Sequence, residues 1–410
     1  MELSSPALVS SFSAHPARLR VLRWLVAGAM AIAVWSQLVP NGWPLSTTPV
    51  QKQAVGAARG KCVVFNFGDS NSDTGGLVPG AGFRLHGPVG RRFFGKPAGR
   101  FCDGRLYIDF LCERLGLDHL SPYMESSGVS FRHGANFAAA GATTGGAGES
   151  SPFGLATQVR QFRHFKARTA DLLRRGLGSG ITREQFENAV YTFDIGQNDI
   201  QVALGAANIS DERVLESIPA IIARIKNAVT MVHETGGRKF VLYNTGPLGC
   251  LPSTLARWGR LAGGGGELDG AGCLARHNGV AMAFNARLRR LCGELRATLP
   301  GGTVVCVDMY AIKYGLFANH TAHGEIMHEP PDLGFTEPLM ACCGSGGPPY
   351  NYRAGTACGS PKAKACADGD RRISWDGLHY TEAANRIVAD QILSSKYSDP
   401  PLRLQTLCGT

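Results

Sequence analysis

Two groups of residues, far apart in the chain, carry side chains that together could activate a nucleophile. Ser70 stands in a Gly-Asp-Ser-Asn turn that directly follows an apolar run. Asp376 and His379 stand three residues apart near the other end of the chain. A serine hydroxyl becomes a nucleophile when a histidine takes its proton, and a carboxylate orients that histidine. We therefore predict Ser70 as the nucleophile, His379 as the base and Asp376 as the residue that orients the base.

Both segments also have an ordinary structural interpretation. Gly, Asp, Asn and Ser are favoured in any tight turn, so the segment around Ser70 also fits a plain strand-to-turn junction. Asp376 also fits the N-cap of a following helix, with His379 at the helix start. The catalytic interpretation is favoured because the chain contains both motifs, and each supplies what the other lacks.

Acyl transfer also needs hydrogen-bond donors for the negative oxygen that develops on the substrate. Asn198 follows a second apolar run and can donate from its side-chain amide. The Gly- and Ala-rich stretch 133–143 can bring a backbone N–H beside Ser70. The same composition is equally typical of close packing between a helix and a strand.

Four motifs follow one another in a fixed order along the chain. They are G-D-S-N-S-D-T-G, N-F-A-A-A-G-A, G-Q-N-D and D-G-L-H-Y-T-E-A-A-N. In this order and spacing they resemble the plant GDSL esterase/lipase branch of the SGNH hydrolases, from about Cys62 to Cys408. The resemblance implies a triad of Ser70, His379 and Asp376.

The resemblance also implies an oxyanion hole formed by Gly141, Asn198 and the backbone N–H of Ser70. Gly134 and Gly145 are close alternatives to Gly141. Asn71 departs from the pattern, because many relatives have Leu or another apolar residue after the serine. This departure leaves the chemistry intact and points to a subgroup that acts on polar substrates.

Strand and helix patterns alternate along the chain, which predicts an α/β protein. The strand candidates are 61–67, 131–137, 190–194, 239–243 and 303–308. The helical patterns are 105–116, 158–175, 183–189, 211–235, 276–298 and 381–395. This alternation predicts a three-layer α/β/α sandwich with a central parallel sheet, the flavodoxin-like SGNH hydrolase fold. We expect the site at the carboxyl edge of the sheet, a surface loop at 251–272 and a disulfide-held flap at 317–372 beside the site.

The N-terminal region predicts the secretory pathway. A basic tail (1–20), an apolar segment (21–40) and a linker (41–60) precede the predicted hydrolase domain (61–410). The apolar segment fits an uncleaved signal anchor, which places the domain in the Golgi lumen, with the membrane as a partner of the N-terminal segment. It also fits a cleaved signal peptide, which leads to secretion to the cell wall.

The cysteines and sequons agree with that route. The chain has 12 cysteines, and an even number in a secreted protein favours disulfides. We predict that Cys250 pairs with Cys273, and the adjacent cysteines 342 and 343 with 358 and 366, since each pairing closes a loop. Two sequons, at Asn208 and Asn319, predict glycosylation.

The net charge of +10 does not indicate nucleic acid, because the basic residues are scattered and no nucleic-acid-binding signature occurs. It favours anionic polymers or membranes, and serves solubility equally well. We expect no metal, since the paired cysteines lack zinc-ligand spacing, and no organic cofactor.

Some plant members of the family remove acetyl groups from cell-wall polysaccharides such as xylan. With a lumenal location, this resemblance implies an acetylesterase whose partner is an acetylated polysaccharide, most simply xylan. One alternative is a lipase or acyltransferase on longer acyl esters. The other is a catalytically silent polysaccharide-binding protein. Four aromatic residues either line a sugar groove or pack internally: Phe93, Phe94, Tyr350 and Tyr352.

Overall fold

The computed structural model describes residues 62–145, 151–177, 180–206, 210–259, 266–322, 334–367 and 369–409. The predicted tail, apolar segment and linker, together with the sequon at Asn208, lie outside these ranges. Within the ranges, no helix combines the length and apolar character needed to cross a membrane.

A central sheet organises the described residues. The strands are β1 (Val64–Gly68), β2 (Gly134–Asn136), β3 (Val190–Asp194), β4 (Lys239–Tyr243), β5 (Thr303–Val307), β6 (Cys343–Gly344), β7 (Lys364–Ala365) and β8 (Ser398–Asp399). The main sheet has the order β2-β1-β3-β4-β5-β8, and β6 pairs separately with β7. The first five strands are parallel, whereas β8 runs antiparallel to β5 at the edge. The predicted three-layer fold is confirmed, with an antiparallel edge strand added to the parallel sheet.

Helices cover both faces of this sheet. They are α1 (Leu77–Ala81), α2 (Tyr107–Arg114), α3 (Leu155–Arg174), α4 (Arg183–Asn188), α5 (Gln197–Gly205), α6 (Asp211–Glu234), α7 (Pro252–Trp258), α8 (Ala275–Thr298), α9 (Met309–Ala318), α10 (Glu382–Leu393) and α11 (Leu404–Cys408). The predicted loop at 251–272 is wrong at its start, because α7 occupies 252–258 with proline at its first position, where no N–H is needed. The helix α9, which begins two residues after β5, was not predicted.

Alternation of side chains along the strands creates two apolar layers. On one face, Phe65, Tyr191 and Phe240 share a row of the sheet and pack against α3, α6 and α8. On the other face, Val241 packs against α2, α9 and α10. The last row of this second face, at the carboxyl edge, carries Asp194. A carboxylate therefore lies where the helices meet the end of the sheet.

Five disulfides hold the described domain. They are Cys62–Cys408, Cys250–Cys273, Cys292–Cys306, Cys342–Cys366 and Cys343–Cys358. The predicted pairing of 250 with 273, and of 342 and 343 with 366 and 358, is confirmed. Cys102 and Cys112 are buried free thiols.

The Cys-rich segment lies beside the loop that carries Asp376 and His379, as predicted for the flap. The backbone N–H groups of Cys342 and Cys343 donate to the carbonyls of Ser374 and Trp375, at 2.9 and 2.6 Å. Two disulfides thus anchor the segment against which this loop is built.

Candidate active site

Ser70 lies in the turn immediately after β1 and is 7% exposed. The N–H of Asp69 donates to the carbonyl of Asp194 at the end of β3, at 3.2 Å, and the N–H of Ser72 donates back to the carbonyl of Asp69, at 3.1 Å. The turn therefore closes at the end of the strand. Because β1 lies between β2 and β3, where the strand order reverses, this is the edge at which such sheets bind ligands.

A buried polar network supports the turn from beneath. Asn66 Nδ2 donates to Asn136 Oδ1 at 2.8 Å and to Ser72 Oγ at 3.0 Å. Thr192 Oγ1 donates to Asn66 Oδ1 at 2.7 Å, and Asn136 Nδ2 donates to the carbonyl of Ser72 at 2.6 Å. Side chains of three neighbouring strands thus fix the segment after Ser70. Sequence reasoning missed this function of Asn136, the first residue of the N-F-A-A-A-G-A motif.

Asp73 joins the Ser70 turn to the glycine-rich loop after β2. Its buried carboxylate accepts the N–H groups of Gly75 (2.8 Å), Gly76, Leu77 (3.2 Å) and Ala140 (2.8 Å). Burial raises the pKa of Asp73, although these four donors oppose the rise. The single carboxylate of Asp73 therefore joins the segment after Ser70 to the glycine-rich loop after β2.

The predicted oxyanion-hole residues lie around the same turn. Asn198, in the first turn of α5, donates from Nδ2 to the carbonyl of Ala142 at 2.8 Å and contacts Asp69 Oδ2 at 3.4 Å. Gly141, one residue before Ala142, has a φ of +75°. Thr144 holds the end of this loop through hydrogen bonds of its N–H and hydroxyl to the Asp199 carboxylate.

Gly134 and Gly145, the two alternatives to Gly141 for the oxyanion hole, lie at different positions in the fold. Gly134 is a strand residue of β2, and a Cβ there would lie 1.8 Å from the carbonyl oxygen of Val64. Strand pairing therefore explains the glycine at 134. Gly145 ends the first described range and has a φ of +129°.

Asp376 and His379 form a bonded pair. His379 Nδ1 lies 2.7 Å from Asp376 Oδ2, while Asp376 Oδ1 accepts the N–H groups of Leu378 and His379 at 3.0 and 2.9 Å. Burial alone would lower the pKa of His379, but the charge and hydrogen bond of Asp376 outweigh it, and the pKa is raised. The pairing leaves Nε2 as the ring nitrogen for proton transfer, and the imidazole is 13% exposed.

The ordinary interpretation of this motif as a helix cap is wrong. The side chain of Thr381, not that of Asp376, caps α10 by accepting the N–H of Ala384. The loop before it is held instead by backbone hydrogen bonds from Trp375 N–H to the His379 carbonyl at 2.7 Å and from Ser253 N–H to the Gly377 carbonyl at 3.1 Å.

Charges beside the Ser70 turn influence the pKa of His379. After the larger effects of burial and Asp376, the negative charge of Asp69 raises the pKa of His379 and the positive charge of Lys313 lowers it. Sequence reasoning missed Lys313, which is 2% exposed. Its signal was a single charged residue in the otherwise apolar stretch that forms α9.

The remaining predicted site residues concern glycosylation and metal. Asn319 is exposed at the end of α9, where a glycan could be attached. Across the described ranges, no group of three or more His, Cys, Asp or Glu side chains is placed to hold a metal ion.

Comparison with known proteins gives a consistent result. The family model GDSL-like Lipase/Acylhydrolase matches residues 64–392. GDSL esterase/lipase LIP-4 of Arabidopsis thaliana is 46% identical over 350 residues, which cover 84% of this chain and 89% of the relative. GDSL esterase/lipase ACHE of Zea mays is 43% identical over 375 residues (86% and 90%). Alpha-L-fucosidase 3 of Arabidopsis thaliana is 40% identical over 351 residues (80% and 89%).

The fold and these relatives define a carboxylic ester hydrolase built on the SGNH scaffold. Since the family model covers most of the chain and the relatives match over most of their own length, the chain belongs to the GDSL esterase/lipase family.

Asp73→Asn tests the connection that Asp73 makes between the segment after Ser70 and the glycine-rich loop. The amide would present an NH2 group to backbone N–H groups, so the free energy of unfolding should fall by about 1–3 kcal/mol in urea titrations. Asp118→Asn, at a half-exposed carboxylate paired with Arg132, is the control and should cost at most about 1 kcal/mol. Equal losses in the two variants would contradict this function of Asp73.

Proposed function

We propose that this protein is a serine esterase in which Ser70, His379 and Asp376 carry out two-step acyl transfer. The observation that carries the proposal is the Asp376–His379 pair, bonded at 2.7 Å through Nδ1 within electrostatic reach of the Ser70 turn. This pairing sets the tautomer in which Nε2 can accept a proton.

In the first step, Ser70 Oγ attacks the ester carbonyl carbon and its proton passes to His379 Nε2. The tetrahedral intermediate collapses, the bond to the alcohol oxygen breaks, and His379 gives its proton to the departing alcohol. In the second step, water loses a proton to Nε2 and attacks the acyl-enzyme. The acid is released and Ser70 regains its proton.

The oxyanion would be stabilised by the backbone N–H groups of Ser70 and Gly141 and by the side chain of Asn198. The hydrogen bond from Asn198 Nδ2 to the Ala142 carbonyl orients the amide. The contact of the same nitrogen with Asp69, at 3.4 Å, is long and therefore weak, so the second amide hydrogen is available to a substrate oxygen.

For the substrate, we propose O-acetyl groups on a cell-wall polysaccharide, xylan first. Two rings lie at the histidine loop, with Phe101 5.5 Å from the His379 ring and Tyr352 against Gly377. Aromatic rings at this place suit the face of a sugar. One relative also has a name that denotes action on a sugar, Alpha-L-fucosidase 3.

The other predicted aromatic pair is a surface feature. Phe93 is 48% exposed, lies edge-to-face with Phe94, and covers the Arg105 guanidinium at 4.1 Å. These are packing contacts, and the exposed face of the Phe93 ring leaves room for a polymer chain.

We also propose the secretory pathway as the location, with a Golgi-lumenal domain as the first choice and release to the cell wall as the second. Five disulfides need an oxidising compartment, and the exposed sequon asparagine Asn319 suits glycosylation there.

The test is acetate release from acetylated xylan by the wild type, Ser70→Ala and the exposed control Ser126→Ala. We expect release by the wild type and the control, and a loss of at least about 10⁴-fold in kcat for Ser70→Ala. Nitrophenyl octanoate, a triglyceride and nitrophenyl α-L-fucoside serve as parallel substrates. Faster turnover of the long-chain esters would replace the acetylesterase by a lipase, and hydrolysis of the fucoside alone would overturn ester chemistry as the main activity. No turnover by the folded wild type would favour a silent polysaccharide-binding protein.

Asp376→Asn tests the triad through its pH dependence. We expect kcat to fall by about 10⁴-fold, because the amide favours the wrong imidazole tautomer. The base is active when neutral, so activity is lost as pH falls through the pKa of His379. Asp376 raises that pKa, so the acid limb of the residual activity should move to lower pH. If the acid limb stays in place, the claim that Asp376 sets the pKa of His379 would be contradicted.

A further inference from the structure

Three charged side chains are buried together beneath the Ser70 turn, and the proposed mechanism uses none of them. They are Asp69, Asp194 and Lys313, which are 1%, 7% and 2% exposed. Register brings the carboxylates together, because Gly68 of β1 pairs with Asp194 of β3 and Asp69 follows Gly68. Burying charges is costly unless they are paired and hydrogen-bonded, so this cluster needs a compensating reason.

Lys313 reaches the cluster from α9, the helix that follows β5. Its Nζ donates to Asn71 Oδ1 at 3.3 Å and lies 4.7 Å from the centre of the Tyr380 ring. A Cβ added to Gly246 would lie 2.9 Å from the Lys313 side chain, so the space around the lysine is closely filled. The ammonium is therefore confined between the residue after Ser70 and the residue after His379.

Asn71 uses its backbone N–H and both polar atoms of its side chain in this arrangement. Its backbone N–H and its Nδ2 both donate to Asp69 Oδ1, each at 2.9 Å, and Nδ2 also lies 3.3 Å from Gln197 Oε1. Its Oδ1 accepts from Lys313. Because the N–H of Asn71 bonds back to the side chain of Asp69, the hydrogen bond spans Ser70 and fixes the backbone on both sides of it.

We propose that Lys313 is a positioning residue that holds the Ser70 turn in its reactive geometry, acting through Asn71 and Asp69. This rests on the proposed function of Ser70 as nucleophile. The ammonium orients the Asn71 amide and supplies an opposite charge that favours the ionised, hydrogen-bond-accepting form of Asp69. It touches neither substrate nor the reacting atoms.

The charges around Asp69 explain why a cation is needed. Burial and the neighbouring Asp194 raise the pKa of Asp69 to about 7, while the two hydrogen bonds from Asn71 and the charge of Lys313 oppose this rise. Burial also raises the pKa of Asp194, which accepts a hydrogen bond from the hydroxyl of Tyr107 at 2.7 Å. Without the cation, Asp69 would take up a proton at higher pH and lose acceptor strength towards Asn71.

Lys313→Met tests the proposal on nitrophenyl acetate across a range of pH. We expect kcat to fall by about 100-fold with KM nearly unchanged, because a displaced nucleophile slows the chemical step while the binding surface remains. The acid limb should move to higher pH, since loss of a positive charge raises the pKa of both Asp69 and His379. The other titratable groups at the cluster are Asp194, Tyr107, Tyr243 and Tyr380. The tyrosines stay neutral through this range because burial raises their pKa.

Asn71→Leu provides the second variant, since it removes the contact from the other side and leaves Lys313 in place. It should lower kcat to a similar extent, and the double variant Lys313→Met/Asn71→Leu should be little worse than either single one. Leu316→Ala, one turn further along α9 and fully buried, is the control. It should lower the melting temperature without moving kcat or the acid limb.

Lys313→Met or Asn71→Leu with wild-type kcat and pH profile would overturn the proposal. So would losses that add fully in the double variant, or a Leu316→Ala control that reproduces the kinetic change. Ser70→Ala separates the two proposals. If it keeps wild-type activity, the function of Ser70 fails whatever the lysine variants show.

Discussion

The site depends on how β1 and β3 are paired. Their parallel register sets Gly68 opposite Asp194, so two carboxylates meet at the edge where Ser70 emerges. Two like charges in a buried place repel each other and raise each other's pKa. Two helices on that face offset the repulsion. Tyr107 on α2 donates a hydrogen bond from its hydroxyl to Asp194, and Lys313 on α9 contributes a positive charge. The placement of both helices is thus tied to the charge balance under the Ser70 turn.

The two halves of the site have different supports. Hydrogen bonds among Asn66, Asn136 and Thr192, all on strands, hold the serine turn to the sheet. The histidine loop instead rests on the disulfide-held flap and on the first turn of α7. Hence the distance between Ser70 and His379 is set by how the flap and α7 pack on the sheet. Trp375 belongs to this loop and is buried against Cys342 and Cys343 of the flap, so the packing there affects the position of His379.

Local patterns predicted what depends on local sequence. The five parallel strands and six of the helices were found because apolar runs and helical periodicity are properties of short segments. α7 was not predicted because the run of glycines that follows it indicates a loop. α9 was not predicted because its apolar residues continue the apolar run of β5. β8 is two residues long and joins the sheet only through β5. The four motifs gave the candidate residues, whereas the buried cluster around Lys313 requires knowing which strands pair and in what register.

The central claim is that Ser70 is the residue that takes up the acyl group. The most direct measurement is acid quenching of the enzyme during turnover of nitrophenyl acetate, followed by mass spectrometry of its peptides. We expect a mass increase of one acetyl group on the peptide that contains Ser70, located on Ser70 by fragmentation and absent after the reaction has run out. Acetyl found on another residue during turnover, or steady turnover with no covalent adduct on any peptide, would contradict the claim.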